Sequence, residues 1–172
     1  ITFADSSGKK KFVWQTCWGP GIWRIMAALI AVHGDDKGLV LPSSVAPIHA
    51  VIIPILFSKN PEGSKNALRF ARIVRKRMER WGFDVTIDDS SYHPGWKFNK
   101  WEMLGVPYRV EVGPREAEQR NVTLVDRVEK TKKTVSLLEL KKLFSRFLEE
   151  HDARLDSRAK EYFANNTRES DS

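Results

Sequence analysis

The sequence predicts an α/β layer fold: a sheet of about five strands, mixed but mostly parallel, with helices on its faces. Three observations carry this. From residue 50 to about 150, short β-branched or aromatic runs alternate with helical stretches, the pattern of strand–helix–strand units. The run Ala50 to Phe57 is almost continuously apolar, as a central strand covered on both faces must be. Between Lys65 and Trp81, Ala67, Ala71, Val74, Met78 and Trp81 recur at helical spacing, with Lys65, Arg69, Arg72, Lys76 and Arg80 opposite. That is an amphipathic helix suited to lying on a sheet.

Taken in order, Lys11 to Trp18 is rich in aromatic and β-branched residues and reads as a strand. Gly19-Pro20-Gly21 breaks it, and Ile22 to Val32 reads as a mostly buried helix. His33 to Gly38 is a polar turn whose aspartates satisfy backbone donors. A Pro-containing linker, Pro42 to Pro47, then marks a boundary near residue 45. After the central strand and the amphipathic helix come a strand at Phe83 to Ile87 and a short helix at Phe98 to Leu104. Strands follow at Tyr108 to Val112, Val122 to Arg127 and Lys132 to Val135. Ser136 with Glu139 three positions on predicts a capping box. It opens a helix with Leu137, Leu140, Leu143, Phe144, Phe147 and Leu148 on its apolar face, which breaks near His151 before a second helix reaching Phe163. Asn165 to Ser172 is polar and predicted to fray.

The segment from Gly95 to Arg115 is the most informative for function. Its strand sets Arg109 and Glu111 on one face and Val110 and Val112 on the other, so one face is meant for solvent or a polar ligand. Glu102 just before the Gly-Val-Pro turn and Arg115 just after the strand add hydrogen-bonding groups to the same region. Such groups read base edges in unpaired nucleic acid. An ordinary solvated strand face fits the same alternation.

Composition narrows the partners. The 172 residues carry a formal net charge of +7. Ser58 to Gly82 holds eight basic residues against Glu62 and Glu79, which favours a polyanion partner or a merely solvated basic face. The single cysteine, Cys17, excludes an internal disulfide framework or a multi-cysteine zinc site within these residues. It is expected to be buried filler. His49, His93 and His151 are isolated and are not read as catalysts, and no metal site is predicted. The longest apolar run, Ile25 to Val32, is too short to span a bilayer. A first residue other than Met leads to the expectation of a piece of a longer chain.

These residues together resemble prolyl-tRNA synthetase in its archaeal and eukaryotic-like form, over essentially the whole chain. The resemblance rests on Trp18-Gly19 with Arg24, on His33-Gly34-Asp35-Asp36-Lys37-Gly38-Leu39-Val40-Leu41-Pro42 and on Val45-Ala46-Pro47-Ile48. It continues through Val51-Ile52-Ile53-Pro54-Ile55 and Gly95 to Arg115, and the tail Glu169 to Ser172 looks like a lead into the family's C-terminal extension.

The resemblance implies that residues 1–45 are the end of a class II catalytic domain, a strand–helix remnant of its antiparallel sheet. Residues 46–150 would be the anticodon-binding domain, and 151–172 a helix and tail. It implies that Arg24 grips ATP phosphates as the catalytic residue, its guanidinium being permanently charged and forked. Gln15 and Thr16 would face the ATP, and Trp18 and Gly19 would floor the proline pocket. Glu102, Arg109, Arg115 and Lys132 would contact anticodon bases. Two departures stand out: the spacing before Arg24 is longer than the commoner pattern, and Arg115 stands where lysine is more familiar.

The parent would be an ATP-dependent ligase joining proline to its tRNA with Mg2+. It would be a cytoplasmic homodimer without a membrane partner, and this piece alone would bind no ATP and be inactive. A threonyl, glycyl or histidyl synthetase would share the fold without the Glu102-to-Arg115 pattern. A non-catalytic tRNA-binding accessory protein would keep the domain and lose the chemistry.

Overall fold

The computed structural model describes residues 1–168; the tail motif from Glu169 onward lies outside them. A two-stranded hairpin comes first, with β1 (Thr2–Ala4) antiparallel to β2 (Lys10–Phe12). The strand expected over Lys11 to Trp18 therefore stops at Phe12. Residues 13–21 are irregular and largely exposed, because among the described residues no third strand offers them backbone partners. Cys17 is exposed, not buried. Helix α1 (Ile22–His33) forms as predicted but buries none of its residues. Its apolar residues lie around most of its circumference, and Ile22, Trp23, Ile25, Met26 and Ile30 are exposed.

The second unit is a five-stranded sheet in the order β4-β3-β5-β6-β7. Strand β3 (Ala50–Pro54) is central and wholly buried. It pairs in parallel with β4 (Val85–Ile87) and β5 (Tyr108–Val112). Strand β6 (Asn121–Asp126) then joins β5, and β7 (Lys132–Ser136) joins β6, both antiparallel. The pairings thus divide evenly, where strand–helix alternation predicts a parallel majority. The β6–β7 connection is a tight turn, with Lys130 at φ 55, and a turn that short permits only antiparallel pairing.

Helix α2 (Pro61–Arg80) opens on Asn60, whose side chain accepts from the Gly63 amide at 2.8 Å. It buries Ala67, Ala71, Val74 and Met78, as its spacing predicts, and Phe70 as well, while Trp81, also predicted, lies partly buried just past its end. They pack with Ile52, Val110, Leu124, Leu140 and Phe144 in the main core. Helix α3 (Pro94–Met103) starts four residues earlier than predicted, with Pro94 in its first turn and the His93 ring accepting from Gly95. It covers the opposite sheet face at β3, where Val51, Ile53 and Val106 meet Phe98 and Trp101.

Two further helices correct the sequence reading. Helix α4 (Pro114–Gln119) was not predicted. Helix α5 (Leu140–Asn166) runs unbroken through position 151. His151 and Asp152 do not break it because both reach back to the linker. His151 Nε2 lies 3.1 Å from the Leu41 carbonyl, and the Asp152 carboxylate accepts the amides of Ser43 and Ser44. Ser136 and Glu139 do bond each other, but in the turn ahead of the helix, whose cap position is Glu139 itself.

A candidate nucleic-acid interface

Helices α2 and α5 fill one face of the sheet and α3 covers only the β3 side of the other. No helix covers the second face at β5, β6 and β7. Pairing aligns Arg109 with Val125 and Lys132, and Glu111 with Thr123 and Thr134. Residues paired across neighbouring strands share a face, so these form one polar half-sheet beside α3. The basic face of α2 lies on the far side of the sheet.

A cleft of about 170 Å³ opens where this half-sheet meets the end of α3, lined by Glu102, Arg109 and Lys132 together with Lys37, Arg127 and Lys130. Three of the four predicted base-contacting residues are thus brought together. Arg115 is not among the lining residues; it is exposed on α4.

Arg109 is preorganised. Its Nε donates to Glu111 Oε1 at 3.0 Å, and its guanidinium carbon lies 4.0 Å from the Phe98 ring centroid. Among the described residues its Nη1 group carries no hydrogen bond, which leaves donors for a ligand. Glu111 is only 7% exposed. The strand alternation predicts that it faces solvent or a ligand, but it lies buried. It is an anchor beneath two cations, with Lys132 Nζ 3.2 Å from its Oε2.

Glu102 sits among three cations: Lys37 at 3.5 Å, Lys130 at 3.7 Å and Arg127 Nη1 at 4.0 Å. Both lysines are half exposed, so they can swing aside for a ligand. The neighbouring Lys37 holds the Lys130 ammonium below its ordinary pKa, while a hydrogen bond to Lys130 and the Glu102 carboxylate hold Lys37 above its own.

Arg127, Lys37 and Lys130 were missed by sequence reasoning. Arg127 donates from Nη1 and Nη2 to the two oxygens of Asp35 at 2.8 and 2.7 Å, and from Nε to the Glu102 carbonyl at 2.9 Å. The guanidinium lowers the Asp35 pKa from 3.8 to about 2. Two glycines make this docking possible. Gly38 (φ 127) has Met103 O only 2.5 Å from where a Cβ would sit, and Gly105 (φ 74) has Leu39 Cβ at 2.6 Å. Such positive φ and such close approach exclude side chains. The loop after α1 therefore lies against the α3–β5 turn, joined by Leu39 N to Met103 O at 3.0 Å. A pair of glycines in loops 67 positions apart gives no sign in sequence that they meet.

The polar turn at Asp35 behaves partly as read: its carboxylate accepts from Lys37 N at 2.9 Å. His151 is buried, with Nδ1 3.5 Å from Asp126 Oδ2. Burial opposes ionisation of Asp126, yet contact with His151 and the amide of Glu129 holds its pKa below the ordinary value. The residues assigned to an ATP and proline pocket, Gln15, Thr16, Trp18, Gly19 and Arg24, are all exposed. Arg24 lies in the first turn of α1.

Residues 49–147 match the family model described as "Anticodon binding domain". The chain is 49% identical over 168 residues to a proline–tRNA ligase of Thermofilum pendens, covering 95% of this chain and 34% of that one. It is 45% identical over 148 residues to a proline–tRNA ligase of Methanococcoides burtonii, covering 86% and 30%. A prolyl-tRNA synthetase structure from Cryptosporidium parvum, complexed with halofuginone and AMPPNP, superposes with a TM-score of 0.84 at 39% identity, covering 95% of this chain and 33% of that one. Another from the same organism, with L-proline and AMP, gives 0.83 at 39%, covering 96% and 35%. The chain spans about a third of the length of the curated relatives it matches.

Proposed function

We propose a function from one premise: the chain belongs to the anticodon binding domain family. Within it, this chain reads the anticodon of a proline tRNA as part of a proline–tRNA ligase. The observation that carries the reading is the convergence of Glu102, Arg109 and Lys132 on one cleft. A guanine offers O6 and N7 as acceptors and its Watson–Crick hydrogens as donors. A carboxylate flanked by a guanidinium and an ammonium complements that edge. Arg115, exposed one turn beyond β5, serves the same RNA from outside the cleft.

On this reading residues 1–45 close a catalytic domain, residues 46–150 bind the anticodon, and 151–172 lead onward. The longer enzyme activates proline with ATP and Mg2+ and passes the prolyl group to the tRNA, working as a homodimer in the cytoplasm. Arg24 meets the ATP phosphates, Gln15 and Thr16 line the nucleotide side, and Trp18 and Gly19 the proline side. No protein nucleophile is required; positioning and charge stabilisation suffice. Relatives named as proline–tRNA ligases support this over a threonyl, glycyl or histidyl enzyme. Among the described residues no helix is long and apolar enough to cross a membrane.

The test is binding of the chain to proline tRNA and to the same tRNA with each anticodon guanine replaced by adenine. Each replacement should weaken binding by about 1–3 kcal/mol. Equal affinity for the unaltered and substituted RNAs would refute base reading.

A further inference from the structure

One exposed feature lies outside the cleft. Tyr92 and Trp96 stack on each other with ring centroids 4.2 Å apart and planes 27° from parallel. They remain 57% and 47% exposed. Two large rings stacked in this way satisfy each other on one side only and leave π faces in water. Lys100, one helical turn after Trp96, holds its ammonium 5.5 Å from the Trp96 ring centroid. Among the described residues that ammonium forms no ion pair, and it also lies 5.0 Å from the Trp101 ring centroid, so a partly buried cation stands beside exposed aromatic surface. Cationic groups next to aromatic platforms are how single-stranded nucleic acids are held without sequence preference: the ring takes the base and the charge takes the phosphate.

Position supports the same occupant. Trp96 and Glu102 belong to one helix, α3, six residues or about 9 Å apart along its axis. A strand whose bases enter the cleft at Glu102 thus passes one end of a helix whose other end carries the ring pair.

We propose that Tyr92 and Trp96, with Lys100 beside them, form a stacking site for one unpaired nucleobase of the RNA whose other bases enter the Glu102–Arg109 cleft. The inference rests on the anticodon-reading function proposed above. The two sites divide the work: the cleft distinguishes bases by their edges, and the ring pair adds affinity for whichever base lies next to them, because every base has a π face. The charge fits this occupant, since the Lys100 ammonium, in no ion pair among the described residues, attracts a phosphate more than it does an apolar protein surface.

The test uses the 172-residue chain and anticodon stem–loop RNAs that each carry one abasic loop position. Trp96→Ala should lower affinity for the intact RNA about tenfold while leaving the preference for guanine over adenine in the anticodon unchanged, and Trp96→Phe should retain most of the affinity. One abasic RNA should cost the wild-type chain the same factor and cost Trp96→Ala nothing more. Wild-type affinity in Trp96→Ala, or a loss that persists equally with every abasic RNA, would overturn the stacking site and make the pair a protein-packing surface. Arg109→Ala, run in parallel, separates the two ideas. If it keeps full guanine preference, the reading cleft itself is wrong. If it loses that preference while Trp96→Ala is silent, only the stacking site falls.

Discussion

Arg127 and Asp35, 92 positions apart, form a two-pronged ion pair, with Arg127 Nη1 and Nη2 at 2.8 and 2.7 Å from the two Asp35 oxygens. The guanidinium side chain is 2% exposed and the carboxylate 38%. One buried fork thus ties the loop after α1 to the end of β6 and places Lys37 over the cleft.

Replacing Arg127 by Met fills the space and removes three charge-assisted hydrogen bonds. Stability should fall by about 2 kcal/mol, read from urea denaturation. Arg127→Lys should recover little of it, because an ammonium cannot engage both oxygens in one plane. A fully stable Lys variant would show that charge alone suffices.

The same pair predicts a pH dependence. The Asp35 carboxyl titrates at about 2 in the folded chain against 3.8 as its ordinary value. The folded pKa is depressed, so the stability it contributes is fully present above about pH 4 and is lost as pH falls through about 2. Asp35→Asn should therefore be less stable than wild type at pH 7 and indistinguishable from it near pH 1. Urea midpoints measured across this range check the sign; a constant gap would disprove the linkage.

Gly38→Ala should be more disruptive than its size suggests. The position has φ 127, and the new methyl would meet the Met103 backbone at 2.5 Å. A loss of about 1–3 kcal/mol is expected from strain, with weaker RNA binding as Lys37 leaves the cleft. Thermal melting and RNA titration of one sample give both readings.

Arg109→Ala removes a guanidinium already held against Phe98 and Glu111. Affinity for proline tRNA should fall by about 1–3 kcal/mol and the guanine preference should relax. An equal loss for every tRNA would point to a phosphate contact instead.

Arg24→Ala, made in the longer ligase proposed above, should sharply reduce proline-dependent pyrophosphate exchange while leaving anticodon affinity intact. Normal exchange would move the phosphate contact to another residue.

Much of the sheet was legible because its signals are local. Tyr108–Val112 alternates cleanly and is bounded by Pro107 and Gly113, and the α2 spacing from Ala67 to Trp81 repeats for about four turns. What escaped depends on distant partners or short elements. Helix α4 is six residues long, too short for periodicity, although Pro114 with Glu116, whose Oε2 accepts the Gly113 amide at 3.0 Å, was a readable start. His151 looked like a break because a polar residue in an apolar pattern signals exposure, whereas here it is buried against Leu41 and Asp126. At the cleft, Glu102 and Arg109 lie within one segment, and Lys132 lies two strands away on β7. Arg127 arrives at the end of β6 through its pairing with β5, and Lys37 only through the glycine contact at Gly38 and Gly105, which no linear spacing encodes.

The grip of α5 on the linker has a topological result. Asp152 and His151 button residues 41–44 to the far end of the chain, closing a ring of noncovalent links around the whole sheet. A nick inside that ring leaves both cut ends tethered. Removing the chain from His151 onward opens it instead, loosening the segment that carries Asp35 and Lys37, so a deletion remote from the RNA in sequence would reach the cleft through space.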